Sequence, residues 1–128
     1  MKIIPKQAAI HVDKVEGSSV DYYIFPEYEL HYNEIKPGTV QQWHHHRQIS
    51  ETLYVMAGEI EAHWVDEAGQ KHMRVMSVGD VVEVENTPHT FINSSSEVVK
   101  FIVFRFVPTG EDKRELIKND KVIDTSLE

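Results

Sequence analysis

The sequence predicts an all-β chain of the sandwich or barrel type, and three observations predict it. Short runs rich in Val, Ile, Tyr, Phe and Thr recur roughly every ten residues. Turn residues divide them, at Lys36-Pro37-Gly38, Ala57-Gly58, Glu67-Ala68-Gly69, Val78-Gly79-Asp80 and Asn93-Ser94-Ser95-Ser96. No long segment of helical period occurs before Pro108, which excludes a helical bundle.

In chain order, strands are expected over Ile10–Lys14, Asp21–Phe25, Glu29–Ile35, Val40–His46, Glu51–Met56, Ile60–Val65, His72–Met76, Val81–Val84, Thr90–Asn93 and Val98–Val107. After Val107-Pro108-Thr109-Gly110 the tail is less regular. Residues 111–124 read either as a short helix capped near Thr109 or as a small hairpin turning at Asn119-Asp120. No repeat, linker or low-complexity stretch divides the chain, so residues 1–128 are expected to form one domain.

Composition narrows the partners. The formal charge is −8, and the only basic runs are the short, mixed KHMR and DKR pieces. Nucleic acid and anionic membrane both need a basic footprint, so neither is expected. There is no cysteine, hence no disulfide framework and no thiolate metal site. The N-terminal MKIIPKQAAIHVDK lacks the uninterrupted apolar core of a secretory signal, and no stretch reaches the ~20 apolar residues of a membrane helix. A cytoplasmic protein is expected.

The chemistry concentrates between Gly38 and Gly58. His44 and His46 are two apart, and on a strand they share a face with backbones ~6.6 Å apart, so both imidazoles can converge on one ion. His45 then faces the other way. Glu51 alternates with Leu53, Val55 and Ala57, which places a carboxylate on an apolar inner face. A charge there is costly unless it is paired or bound to a cation. Downstream, Pro88 fixes the approach to His89, and Phe91 shares its face.

These residues carry a resemblance. Gly38-x5-His44-x-His46-x4-Glu51-x6-Gly58 resembles the first motif of the cupin superfamily at every spacing, and Gly79, Asp80, His89 and Asn93 resemble the second. The second departs in its middle. Glu85 stands where proline is usual, no glycine follows, and the loop is one residue shorter, which alters the turn before His89. The resemblance spans roughly residues 28 to 107 and implies a small single-domain cupin, a double-stranded β-helix (jelly-roll) barrel. It further implies one divalent metal held by His44, His46, Glu51 and His89, and a homodimer. Three imidazoles and a carboxylate suit Fe, Mn, Co, Ni, Cu or Zn alike.

Other residues are open to two readings. Gln42 shares parity with His44 and would bond a ligand or metal-bound water, or else be a buried amide on backbone. Arg105 would reach into the barrel mouth to receive a carboxylate or phosphate, or else stand in solvent at a strand end. His11, His31, His63 and His72 lack partners at ligand spacing and read as surface histidines. Trp43, Tyr54 and Trp64 read as core or interface residues, with Tyr54 on the outer face. The expected function is a metal-dependent enzyme acting on a small chelating molecule, a dioxygenase first, with Glu51 as ligand and nearby base. An isomerase or epimerase, or a ligand sensor without turnover, are the alternatives.

Overall fold

A computed structural model describes residues 1–127. Among them the chain forms nine strands: β1 (Ile10–Asp13), β2 (Ser18–Ile24), β3 (Tyr28–Ile35), β4 (Ser50–Ala57), β5 (Ile60–Val65), β6 (Lys71–Met76), β7 (Val81–Val84), β8 (His89–Ile92) and β9 (Val99–Phe106). A short helix, α1 (Arg114–Asn119), follows. The strands make two antiparallel sheets, one ordered β1-β2-β3-β9-β4-β7 and the other β6-β5-β8. Two packed antiparallel sheets agree with the sandwich-or-barrel expectation from the strand and turn signals, and with the jelly roll that the cupin resemblance implies.

Alternation along each strand sends one set of side chains between the sheets. Ile35, Leu53, Val55, Val84, Val99, Phe101 and Val103 come from the larger sheet and meet Ile60, Ala62, Met76 and Phe91 of the smaller. Phe91 and Phe101 touch across the gap, ring centroids 6.1 Å apart. Register then sets the rows that matter for chemistry. Glu29, Arg105, Glu51 and Val84 lie side by side across β3, β9, β4 and β7, and His31, Val103, Leu53 and Val82 form the adjacent row.

Two glycines are required by geometry. Gly58, with φ +78°, lets β4 turn into β5, and a Cβ there would lie 3.1 Å from both the Val98 carbonyl and Val99 Cγ2. Gly17 lets Thr39 pack directly on its backbone, where a Cβ would overlap the threonine hydroxyl.

The structure corrects three expectations. Residues 40–46 do not form a strand. They run beside β8 with only two isolated bridges, Val40 to Ile92 and His44 to His89. The reason is local: the Gln41 carbonyl accepts the Thr90 hydroxyl, and the Gln42 carbonyl accepts His44 Nδ1–H at 2.8 Å, so side chains take acceptors that a ladder would use. His31 is not a surface residue but is 4% exposed, on the inner face of β3 with Asn33 and Ile35. The tail takes the helical one of its two expected forms, and only the cap near Thr109 is corrected. The Asp112 carboxylate accepts the Arg114 N–H at 3.0 Å, while Thr109 Oγ1 reaches only the Glu111 N–H at 3.4 Å.

Candidate metal centre

His44, His46 and His89 come together: one ring nitrogen from each lies within 4.8 Å of the others. An ion at about 2.1 Å from each imidazole spaces its ligand atoms by roughly 3–4 Å, so small adjustments close the set. His89 is carried by β8, flanked by the buried Thr90 and Phe91. His44 is brought to it by paired backbone bonds, His44 N–H to the His89 carbonyl at 3.1 Å and His89 N–H to the His44 carbonyl at 2.9 Å.

Ring orientation is fixed from behind. His44 Nδ1–H donates to the Gln42 carbonyl, and His89 Nδ1–H donates to the Thr87 carbonyl at 2.9 Å. A carbonyl only accepts, so Nδ1 carries the proton and the Nε2 lone pair is left for a ligand. The altered turn before His89 therefore still supplies the carbonyl that orients it. Burial holds both His89 and His46 below the ordinary imidazole pKa, which keeps them in the neutral, ligating form.

Glu51 stands beside this group. It is 7% exposed, and its Oε1 accepts a hydrogen bond from Arg105 Nη2 at 2.8 Å. The same oxygen lies 2.7 Å from His46 Nε2, yet that nitrogen is buried without a hydrogen-bond partner. The pair is close but misaligned for a hydrogen bond, and a cation accepting both the Nε2 lone pair and the carboxylate oxygen would satisfy the two together. The residues present thus fit a divalent metal. Arg105 Nε is likewise buried without a partner.

These groups line a cavity of about 660 Å³, with Leu53, Phe91, Phe101 and Val103 as its apolar wall. Arg105 faces this space, not open solvent alone, at one-third exposure. Gln42 is exposed yet also lines the cavity. Its neighbour Gln41, also on the wall, donates from Nε2 to the Ser18 hydroxyl at 3.3 Å. His45 is exposed, and Tyr54 is 46% exposed on the outer face.

A sequence profile for the family described as "Cupin domain" matches residues 31–105. The chain is a cupin.

No curated protein matches the sequence. The cupin's fold is similar to that of Lactobacillus farciminis oxalate decarboxylase in a formate complex, with TM-score 0.71 and 17% identity over 97% of this chain and 42% of that one. It is similar to Fe(II)-HppE with the alternative substrate (S)-1-HPP, with TM-score 0.66 and 17% identity over 83% of this chain and 60% of that one. It is also similar to Drosophila melanogaster CENP-C bound to CAL1, with TM-score 0.68 and 22% identity over 77% of this chain and 76% of that one. At these identities the likeness is one of fold. The cupin spans less than half the length of the oxalate decarboxylase.

Sequence reasoning missed His31, which lines the same cavity as the metal group. Its Nε2 lies 2.8 Å from Glu29 Oε1, and its ring makes a T-shaped contact with Tyr22, with centroids 4.5 Å apart. The signal was present in the alternation of His31 with Asn33 and Ile35, each of them inward. Searching only for ligand spacing passed over it. The remaining histidines differ from one another. His11 bonds Asp21 and Asp13, His72 stacks on Trp64 and pairs with Asp66, and His63 lies half-buried beside Glu61.

Proposed function

We propose that this cupin is a mononuclear metal-dependent enzyme acting on a small chelating molecule, with dioxygenase chemistry as the favoured class. The observation that carries the reading is the convergence of three imidazoles at one cavity, with His46 Nε2 unpartnered against the Glu51 carboxylate. His44, His46 and His89, with Glu51 as fourth ligand, would hold one ion among Fe, Mn, Co, Ni, Cu or Zn. Such an ion supplies Lewis acidity and open coordination positions for a substrate or dioxygen.

The chain's own residues supply the rest. Leu53, Phe91 and Phe101 exclude water from one side of the bound molecule. Arg105, with Nε unpartnered and only one bond to Glu51, has donors in hand for a carboxylate on the substrate. Gln42 meets the molecule at the entrance. Glu51 can serve as a base whenever it leaves its ligand role. A cytoplasmic homodimer belongs to the same reading. Tyr54, Met56 and Phe104 are exposed on strands of the larger sheet and offer it a seam.

One further reading has an observation behind it. A histidine hydrogen-bonded to a carboxylate in the cavity suits proton shuffling as in an isomerase, with no oxygen consumed. Metal analysis of protein purified without chelators, followed by oxygen uptake across enolic and phenolic substrates with each divalent ion, tests the proposal. Uptake with one substrate class supports the dioxygenase. Conversion without uptake moves the reading to the isomerase. Binding without any turnover leaves a ligand sensor.

A further inference from the structure

We propose that His31 is a proton-transfer residue of this cavity and that Glu29 is the residue that positions it. The inference rests on the preceding reading, that the cavity takes a small chelator which must lose a proton.

His31 sits on the inner face of β3, almost wholly buried, and lines the same cavity as His44, His46 and His89. Glu29, two residues earlier on the strand, is 2.8 Å from its Nε2. An ionised carboxylate can only accept, so Nε2 carries the proton and Nδ1 is an unprotonated lone pair. The T-shaped contact with Tyr22 holds the ring plane from β2. A base held by a carboxylate on its far nitrogen is the arrangement general-base histidines use, because the carboxylate sets the tautomer and stabilises the imidazolium that forms.

The surroundings argue against a purely structural role. Ile35, on the same face of β3, shows what fills this wall when only packing is at stake. A buried imidazole at position 31 costs dehydration and gains one hydrogen bond to a residue of its own strand. The charged groups facing it are Glu29, Arg105 and Glu51. Burial lowers the pKa of His31, Glu29 raises it and Arg105 lowers it again, so the resting state is a neutral base. Arg105 lies between Glu29 and Glu51 in register and gives its hydrogen bond to Glu51, which leaves Glu29 to His31.

The step is a simple proton transfer. The O–H bond of the chelator breaks, its electron pair stays on the substrate oxygen, and the proton goes to His31 Nδ1. The imidazolium so formed is neutralised by Glu29. No oxidant or reductant is involved, and the reverse transfer returns the proton to product.

The test uses zinc, which is redox-inert, and 4-nitrocatechol as the probe. Calorimetry in two buffers of different ionisation enthalpy counts the protons released on binding. The wild-type protein should release about one fewer proton than His31→Gln, because His31 keeps it. Glu29→Gln, which leaves the imidazole in place, should release more than wild type, and it decides the matter if His31→Gln folds poorly. Side-chain nitrogen NMR of the unliganded protein should show His31 protonated at Nε2. Equal proton counts in all folded proteins that bind the probe would overturn the assignment. Zinc-loaded wild type that fails to bind the probe would instead overturn the chelator reading beneath it, a result distinct from equal counts.

Discussion

Glu51 and Arg105 face each other across β4 and β9, Oε1 to Nη2 at 2.8 Å, and the same oxygen lies 2.7 Å from His46. One carboxylate oxygen therefore serves both the guanidinium and the imidazole cluster. Replacing it affects two properties at once. Glu51→Gln should weaken metal binding and also leave Arg105 without its charged partner. In chelator, where metal plays no part, the variant should lose about 1–3 kcal/mol, the worth of a hydrogen bond between charged groups, towards the lower end because Arg105 is partly solvated. Urea unfolding with and without EDTA separates the two losses.

Removing a ligand imidazole should be felt in metal content rather than in folding. His89→Ala and His44→Ala are expected to bind divalent metal at least ~100-fold more weakly, while His45→Ala, on the exposed neighbour, retains it. Elemental analysis after equilibrium dialysis reads the difference. Loss in His45→Ala equal to that in His44→Ala would contradict the site as drawn.

Metal that binds only the folded chain must raise its stability. At free metal about a hundred times Kd the gain should be about 2.7 kcal/mol, which for a chain of this size moves Tm by roughly 8–13 °C. Thermal melts in chelator and in saturating metal give the shift directly. A metal-independent melting point would mean that the three histidines hold nothing.

The pH dependence of the chelated protein has a defined sign. Burial is the main cause that sets His31, His46 and His89 below their ordinary value of 6.5 in the folded state. The unfolded chain therefore takes up protons first as pH falls. Stability should be full above about 6.5 and decline from there downward, through the lower folded-state values. His11, raised by Asp21 and Asp13, acts in the opposite direction from the surface. Melts from pH 8 to 5 should show a net decline, and His31→Asn should flatten it.

Gly58→Ala should destabilise by about 1–2 kcal/mol from the left-handed backbone alone, with added strain from the 3.1 Å approaches to Val98 and Val99. Gly69, also at positive φ but with open space around a Cβ, should tolerate alanine better. Denaturation midpoints of the two variants compare them.

Much of this was legible in the residues. Alternation placed Glu51, Leu53 and Val55 inward and Tyr54 outward, and spacing brought His44, His46 and His89 to one point. Parity failed where the backbone stopped being a ladder. Gln42 was expected to share a face with His44 on a strand; both line the cavity, but on an irregular segment whose Gln42 carbonyl turns to the His44 ring, and both stay exposed. Arg105 was open between solvent and cavity because a long side chain on a strand end has both within reach. Its pairing with Glu51 depends on β4 and β9 being neighbours, which nothing local in either strand announces. The inward face of His31 was legible in its alternation with Asn33 and Ile35, but the neighbours that complete its row come from strands far along the chain.

Two of the three clustered imidazoles, His44 and His46, ride on a stretch stitched to β8 by a few backbone bonds, with Thr39 seated on Gly17 at its root. An ion gripping them would act as a rivet between that stretch and the smaller sheet, and part of its binding energy would go into fastening. Affinity at such a centre can be adjusted from a distance. Substitutions along residues 39–43, none of them a ligand, would loosen or tighten the grip by changing how much fastening is left to do.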